Sequence, residues 1–423
     1  MRIALLHYSF WPVIGGVETV MLEHARLFSA AGHEVTVFCG AGQAFARRES
    51  EDGSVHLFRT EHLPLESATV VEQGQKSGIP WKISKAVFEE RYAKLCEFLS
   101  KGLADHDVVF MHNVCTMPFD LPLTAALWVT ADALSNVRFV AWVHDLAAGN
   151  PDYALGDSSE IPWHLLGRAH SRMEYVTVSE RRKRQLLAAF ELTDEQCSVV
   201  PDGIDPVRQL RLPKELEHLA VSRKWAEHEL LLLHPTRLLR RKNVELSLRV
   251  TAALRALGQD AALLITGAED IHNPASVEYA ASLHRLHDEL ELGSSAVFLS
   301  DHLPIKAEEL SGLYRLADAL FFPSRQEGFG LPVLEAAAHR LPAFCADVEP
   351  FNALPGAIPF DPEASPEEIA AFLIQRTDAS PAIQARKSVV RDFAWSAIWR
   401  KCLAPLLSRR PNSNITTANA ASP

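Results

Sequence analysis

Short apolar segments that alternate with helical stretches recur along this chain in two series, and they restrict its possible folds more than any other feature. A parallel strand buried on both faces reads as an apolar run, and a helix usually connects it to the next strand. The runs are RIALLHY, HEVTVFC, DVVFMH, RFVAWVH and YVTVS in the first half, and LLLLHPT, ALLITGA, AVFLS, ALFFPS and PAFCAD in the second. The sequence therefore predicts an α/β fold with two doubly wound, Rossmann-like domains.

The length of 423 residues agrees with two domains of that kind, because one hydrophobic core rarely extends over more than about 250–300 residues. We predict a first domain over 1–205 and a second domain over 229–390. The segment 206–228 is rich in charge and leucine and lacks strand character, so we interpret it as the interdomain linker. Residues 391–408 carry an apolar helical stripe, and the tail 409–423 has little to bury and is predicted to be disordered.

Charge and cysteine content exclude several classes of protein. The formal charge of −11 disfavours nucleic-acid binding, and the six cysteines form no C-x-x-C pair that would indicate a zinc knuckle. No cleavable signal is evident, and no apolar run reaches the roughly 20 residues of a membrane span. We expect a cytoplasmic protein, for which peripheral membrane contact stays open because an acceptor could be lipid-linked. The sequence does not indicate an oligomeric state.

Polar and glycine residues follow the predicted strands at their carboxyl ends, where open α/β sheets bind ligands. Both halves of the chain contribute to this set: Gly15-Gly16, His112-Asn113, His144-Asp145 and Ser179-Glu180 from the first, and Arg237, Gly267 and the loop around Glu327 from the second. We therefore expect the two domains to face a central cleft that collects these groups.

The stretch QEGFGLPVLEAA combines a tight turn with two carboxylates, Glu327 and Glu335. Gly328 and Gly330 allow the turn, and Pro332 fits the first position of a helix. Free backbone N–H groups at such a helix start can bind an anion, and Glu335, expected in the first helical turn, can accept hydrogen bonds from a vicinal diol. A sugar-phosphate diester has both features. The alternative is that Glu335 only favours a helix start and Glu327 is a solvated loop charge.

A basic loop, RLLRRKN at 237–243, follows the first strand of the second half. Arg237 and Lys242 of this loop are candidates to bind a diphosphate. The triplet Asp105-His106-Asp107 resembles a metal-binding D-x-D, but it precedes a strand and so belongs at the other edge of the sheet. We therefore expect no metal site.

Several motifs together resemble the retaining glycosyltransferases of family 4, also called glycosyl transferases group 1, which have the GT-B fold and take sugars from nucleotide donors. The resemblance extends over nearly the whole chain. Its motifs are GGVET, WVHD, VSE, VPDGID, PTRLLRRKN, LYRLADALFFPSRQEGFGLPVLEA and FAWSAIW. Asp202 stands where the family usually has asparagine, and ADVEPFNALPG lacks a common glycine pair and glutamate. Neither departure removes a donor contact, but the second leaves the donor sugar and the acceptor open.

The resemblance implies roles for the second-half residues. Glu335 would bind the ribose hydroxyls, and Arg237 and Lys242 would bind the donor diphosphate. Glu327, together with the glycine turn, would bind the hydroxyls and phosphate of the transferred sugar. The residues of that turn are Gly328, Phe329, Gly330 and Leu331.

The resemblance also implies roles in the first half. Gly15 and Gly16 would approach the phosphate or the acceptor through the backbone, and His144 would contact the transferred sugar. The C-terminal helix at 391–408 would cross back to the first domain. The expected catalytic residues are thus Glu327, His144, Arg237 and Lys242.

The sequence accordingly predicts a metal-independent, retaining transferase without a cofactor. It would move a sugar from a nucleoside diphosphate sugar to the hydroxyl of a sugar, glycan, lipid-linked or small-molecule acceptor. A GT-B phosphorylase or a nucleotide-sugar epimerase is the alternative enzyme, since either reuses two Rossmann-like domains and a phosphate site. A sugar-binding module without turnover is a third, non-enzymatic alternative.

Overall fold

A computed structural model describes residues 1–42, 48–49, 55–56, 58–64, 85–153, 155–157, 162–267 and 274–409. The chain divides into two compact units. The first unit contains Met1–Gly203 and the residues from Trp395 onward, and the second contains Ile204–Ala394. The prediction of a disordered tail falls, beyond Arg409, outside the described residues.

A parallel sheet forms the centre of the first unit. Its strands are β1 (Arg2–Ser9), β2 (Glu34–Ala41), β5 (Phe58–His62), β6 (Val108–His112), β7 (Arg138–Val143), β8 (Met173–Thr177) and β9 (Cys197–Val199), beside a short antiparallel pair of β3 (Arg48–Glu49) and β4 (Val55–His56). The strand order is β5-β2-β1-β6-β7-β8-β9. The order reverses beside β1, so the carboxyl ends of β1 and β6 flank the point where doubly wound sheets bind ligands.

Helices surround this sheet because its strands are apolar on both faces. They are α1 (Gly16–Ala30), α2 (Lys85–Leu103), α3 (Leu121–Ala133) and α4 (Glu180–Phe190). Two of them begin at side-chain caps: Asp120 accepts a hydrogen bond from the backbone N–H of Leu123, and Ser179 accepts one from that of Arg182. The second cap starts α4 directly after β8, close to the carboxyl end of that strand.

The second unit contains a six-stranded parallel sheet among its described residues. Its strands are β10 (Leu230–His234), β11 (Ala261–Ile265), β12 (Ala296–Phe298), β13 (Ala319–Phe322), β14 (Ala343–Ala346) and β15 (Ala357–Phe360). The order β12-β11-β10-β13-β14-β15 is that of a Rossmann fold, with its reversal between β10 and β13. Both sheets confirm the predicted doubly wound architecture, and the predicted strands all coincide with observed ones.

Helices pack on the second sheet as they do on the first. They are α5 (Pro206–Gln209), α6 (Lys214–Ser222), α7 (Val244–Ala256), α8 (Pro274–Glu289), α9 (Ala307–Leu316), α10 (Leu331–Ala338), α11 (Pro366–Asp378) and α12 (Pro381–Ser388). The segment 206–228, predicted to be a linker, differs from that expectation. It forms α5 and α6, and its Leu216, Ala220 and Trp225 are fully buried in the core of the second unit.

The C-terminal segment belongs to the first unit. It forms α-helical turns at Trp395–Ile398 and Ala404–Leu407 around a π-helical turn at Trp399–Leu403. Arg138, at the start of β7, donates hydrogen bonds to the carbonyls of Leu406 and Leu407 and forms a two-pronged ion pair with Glu174. The segment is therefore attached to the sheet by polar contacts as well as by its apolar stripe.

Candidate active site

Two loops lie side by side at the reversal of the second sheet. They are residues 235–243, which follow β10, and residues 323–330, which follow β13. The backbone N–H of Arg325 donates to the carbonyl of Arg241 at 2.8 Å, and the Arg241 guanidinium donates to the carbonyl of Gln326 at 3.1 Å. These hydrogen bonds bring the predicted basic loop and the predicted glycine turn together.

Glu327 forms ion pairs with two cations of the basic loop. Its Oε1 lies 2.5 Å from Lys242 Nζ, and its Oε2 lies 3.1 Å from the Arg241 guanidinium. The Glu327 and Lys242 side chains are only 11% and 12% exposed, and Lys242 Nζ also lies 5.6 Å from the centre of the Phe322 ring. Glu327 is therefore not a solvated loop charge, and it holds Lys242 in a defined place.

Gly330 caps the helix that follows the turn, and its position requires glycine. Its φ of +99° lies in the left-handed region, and an added Cβ would lie 2.4 Å from the Cβ of Phe351. Because glycine has no side chain, no side chain caps α10. At the start of α10, Pro332 has no N–H and the N–H of Val333 donates to the Gly330 carbonyl at 3.0 Å. Among the first three helical residues, the backbone N–H of Leu331 is therefore left for a ligand within the described part of the chain, beside the exposed side chains of Phe329 and Leu331.

Glu335 lies one step further along α10 than the sequence predicted. The helix begins at Leu331, so Pro332 is its second residue and Glu335 its fifth, and the first turn contains no acidic residue. The expectation failed because Gly330 takes the cap position, which moves the helix start. The Glu335 carboxylate instead accepts a 2.7 Å hydrogen bond from the hydroxyl of Tyr314 on α9.

Arg237 is exposed at the end of β10, and its side chain forms no hydrogen bond or ion pair within the described ranges. Its backbone, by contrast, is closely packed. A Cβ on Gly267, which follows β11, would lie 1.8 Å from the carbonyl oxygen of Thr236 and 2.7 Å from Cα of Arg237. Gly267 therefore allows the loops after β10 and β11 to approach each other, and this contact fixes the backbone of Arg237.

Gly15 and Gly16 lie at the start of α1 in the first unit, next to a carboxylate of the chain itself. A Cβ on Gly15 would lie 2.1 Å from Oε2 of Glu18, whereas a Cβ on Gly16 would meet nothing within 4 Å. The other oxygen of Glu18 accepts a 2.5 Å hydrogen bond from Ser9 and lies 4.0 Å from Nε2 of His7. The space over Gly15 is thus filled by Glu18, a role that the sequence did not reveal.

His144 is fixed at the end of β7 by several groups of the first unit. The backbone N–H groups of His144 and Asp145 both donate to Oδ1 of Asn113, at 2.8 and 2.9 Å. The His144 ring places Nε2 3.0 Å from Nδ1 of His112 and Nδ1 3.7 Å from a carboxylate oxygen of Asp202. Burial holds the pKa of His112 well below its usual range, so His112 stays neutral. Within the described residues, Nε2 of His144 is thus occupied by His112, and a ligand would approach Nδ1 beside the Asp202 carboxylate.

A cavity of about 350 Å³ opens near this strand end. It is lined by the loop that follows β7 and by the first turn of α4, including Asn150, Ser179, Arg181 and Arg182. Arg182 links the cavity to His144, because its Nε donates to the His144 carbonyl at 3.1 Å. A second cavity, of about 680 Å³, lies at the amino ends of β7 and β8, away from the candidate residues.

In the part of the chain that the structure describes, no cluster of three or more His, Cys, Asp or Glu side chains has a metal-binding arrangement. None of the helices described there has the length and apolarity needed to cross a membrane. Asp107 of the D-x-D-like triplet accepts a 2.6 Å hydrogen bond from the backbone of Arg2, at the amino end of the sheet.

Comparison with known sequences identifies the family. The profile of Glycosyltransferase Family 4 matches residues 14–208, and that of Glycosyl transferases group 1 matches residues 217–354. The chain belongs to this family of glycosyltransferases. It is therefore a glycosyltransferase with the two Rossmann-like domains of the GT-B class, as the sequence motifs indicated.

Named relatives in the family are similar over most of their length. The chain is 23% identical to mannosylglucosylglycerate synthase of Thermotoga maritima, over 83% of this chain and 82% of the relative. It is 25% identical to MMP alpha-(1->4)-mannosyltransferase of Mycolicibacterium hassiacum, over 96% and 97%. The solved sucrose-phosphate synthase of Thermosynechococcus elongatus aligns with 19% identity over 96% and 98% of the two chains, with a TM-score of 0.37.

Proposed function

We propose that this glycosyltransferase moves a sugar from a nucleoside diphosphate sugar to an acceptor hydroxyl, with retention of the anomeric configuration and without a metal ion or cofactor. The observation that carries the proposal is the pairing of Lys242 with Glu327 beside the uncapped start of α10. A cation, a carboxylate and the free backbone N–H of Leu331 together complement a sugar joined to a diphosphate.

The donor is assigned to the second unit. The Arg237 guanidinium is exposed and the Lys242 ammonium is held in place, so both can balance the charge that develops on the departing diphosphate. That stabilisation is the task that a metal ion performs in other phosphate chemistry, which supports a metal-independent reaction. Glu335 is assigned to the ribose hydroxyls, and Glu327 to hydroxyls of the transferred sugar.

We propose a front-face displacement. The bond between the anomeric carbon and the diphosphate oxygen breaks, the acceptor oxygen bonds to the same face of that carbon, and the leaving phosphate takes the acceptor proton. Glu327 is a poor candidate for a covalent nucleophile, because two cations already hold its carboxylate. Retention without a covalent intermediate follows from this sequence of steps.

The first unit is assigned to the acceptor and to contact with the transferred sugar through His144. The cavity beside α4 supports this assignment, because Arg182 connects it to the His144 backbone. The names of the Thermotoga maritima and Mycolicibacterium hassiacum relatives both contain a mannosyl group, so mannose is the first sugar to test. A lipid-linked acceptor would bring the enzyme to a membrane surface.

A screen of nucleotide sugars by thermal shift, followed by mass spectrometry with pooled acceptors, tests the proposal. The expected result is a glycosylated product that appears together with free nucleoside diphosphate. Sugar 1-phosphate released from a glycan would indicate a phosphorylase, and an isomerised nucleotide sugar without acceptor would indicate an epimerase. Donor binding without any product would favour the non-catalytic module.

A further inference from the structure

Tyr314 and His339 form a small, partly buried network around Glu335. Their rings are stacked, with centres 5.1 Å apart and an angle of 17° between the planes. The Tyr314 hydroxyl donates to Oε2 of Glu335 at 2.7 Å, and Nδ1 of His339 donates to the Glu335 carbonyl at 2.8 Å. Nε2 of His339 lies 3.2 Å from the hydroxyl of Ser311. The Glu335 carboxylate is thus held from α9 by Tyr314, and the Glu335 carbonyl is held by His339, which follows α10.

The directions of these hydrogen bonds follow from the groups involved. A carbonyl oxygen can only accept, so His339 carries its hydrogen on Nδ1, and in the neutral ring its Nε2 accepts from Ser311. A carboxylate can only accept from a phenol, and Tyr314 stays protonated because burial, together with its bond to Glu335, raises the pKa of its hydroxyl. Both the backbone and the side chain of Glu335 are therefore held by donors.

We propose that Tyr314 is a positioning residue, which holds Oε2 of Glu335 so that Oε1 is presented to the ribose of the donor nucleotide. The inference deepens the proposed function and rests on it. Glu335 has no other hydrogen bond through its carboxylate in the described part of the chain, so without Tyr314 the side chain would be free to rotate. A fixed carboxylate binds a hydroxyl without first losing that freedom.

The simpler view is that Glu335 only satisfies a buried phenol. Tyr314 is 2% exposed, and a buried tyrosine hydroxyl needs a partner. The two views predict different effects of the Tyr314 hydroxyl on nucleotide affinity. A structural hydroxyl would affect all ligands alike through folding, whereas a positioning hydroxyl affects only those ligands that carry ribose hydroxyls.

Calorimetric titration of the full chain can distinguish the positioning role of Tyr314 from a purely structural one. UDP and GDP are titrated first, and the tighter of the two is compared with its 2′,3′-dideoxy analogue in the wild type and in Tyr314→Phe. Tyr175→Phe is the matched control, since Tyr175 is buried in the first unit and its hydroxyl accepts a backbone hydrogen bond from His170. A Glu335→Ala variant and the double variant with Tyr314→Phe complete the set.

We expect Tyr314→Phe to weaken binding of the ribonucleotide about tenfold, the typical effect of one hydrogen bond to a charged group. Binding of the dideoxy analogue should be unchanged, and Tyr314→Phe should have no further effect in the Glu335→Ala background. Equal weakening of both nucleotides, or no weakening of either, would overturn the inference. If neither UDP nor GDP binds the wild type, ADP and CDP are titrated in the same way, and absence of binding by all four would contradict the proposed function and this inference with it.

Discussion

Nζ of Lys242 lies 2.5 Å from Oε1 of Glu327, and the two residues lie on loops that follow the adjacent strands β10 and β13. The carboxylate thus fixes the lysine that is proposed to face the diphosphate. Replacing Glu327 with Gln removes the charge that holds Lys242, so we expect turnover to fall by about 100-fold or more, as when a preorganised electrostatic group is lost. Binding of the nucleoside diphosphate should change less, because Lys242 keeps its own charge and the other proposed partners of Glu327 are on the sugar.

Steady-state kinetics and calorimetric titration together check this prediction. The exposed Glu363, replaced with Gln, is the control for loss of a carboxylate in the same unit. Equal losses in turnover and in nucleoside diphosphate affinity would contradict the assignment of Glu327 to the transferred sugar.

Chelation tests the proposed role of the cationic side chains. If Arg237 and Lys242 balance the charge of the leaving group, activity should survive exhaustive treatment with EDTA. The measurement is initial rate before and after chelation. Loss of activity that magnesium or manganese restores would show that a metal ion performs this task.

Gly330 and Gly328 offer a matched pair of substitutions in one turn. An alanine at 330 must adopt a φ of +99° and would bring its Cβ to 2.4 Å from that of Phe351, whereas an alanine at 328 would meet nothing within 4 Å. We expect Gly330→Ala to lower the free energy of unfolding by about 1–3 kcal/mol and Gly328→Ala to have little effect. Thermal denaturation checks this, and similar values for both variants would contradict the geometry of the turn.

Stability should depend on pH through buried histidines of the first unit. Burial lowers the pKa of His24 to about 3 and that of His7 to about 4, both below the ordinary value of 6.5. The unfolded chain therefore binds protons that the folded chain does not, so stability is complete above about pH 6.5 and falls as the pH decreases toward 4. Each group contributes a slope of about 1.4 kcal/mol per pH unit.

Replacing His24 with Gln should reduce this slope between pH 6.5 and 4, while replacing the exposed His302 with Gln should not. Denaturation midpoints measured across that range provide the test. The slope is the readout, so a uniform loss of stability in the variant does not affect the comparison. An unchanged slope in His24→Gln would show that His24 is not held neutral by the fold.

The sequence predicted those parts of the molecule that depend on local pattern. The buried strands are continuous apolar runs, and the strand ends carry the candidate residues. The edge strands β5, β9 and β15 were missed because they are short or only partly apolar. The segment 206–228 was read as a linker because its leucines belong to short helices, whose burial depends on a sheet distant in sequence.

Contacts between side chains were harder to predict, because they depend on packing between elements. Tyr314 fits the apolar stripe of α9, and nothing local indicates that its hydroxyl meets Glu335. The position of the Glu18 carboxylate over Gly15 likewise could not be predicted from the sequence, because it depends on the folded backbone. The partner of Lys242 lies 85 residues away, so charge pattern alone could not identify it.

The configuration of the first product tests the central claim most directly. Proton NMR of the anomeric signal, recorded on the product formed from the donor selected by the thermal-shift screen, reports this configuration, because a glycosidic bond does not mutarotate. The account predicts that the glycosylated acceptor keeps the anomeric configuration of the donor and that nucleoside diphosphate accumulates in equal amount. A product of inverted configuration would contradict it.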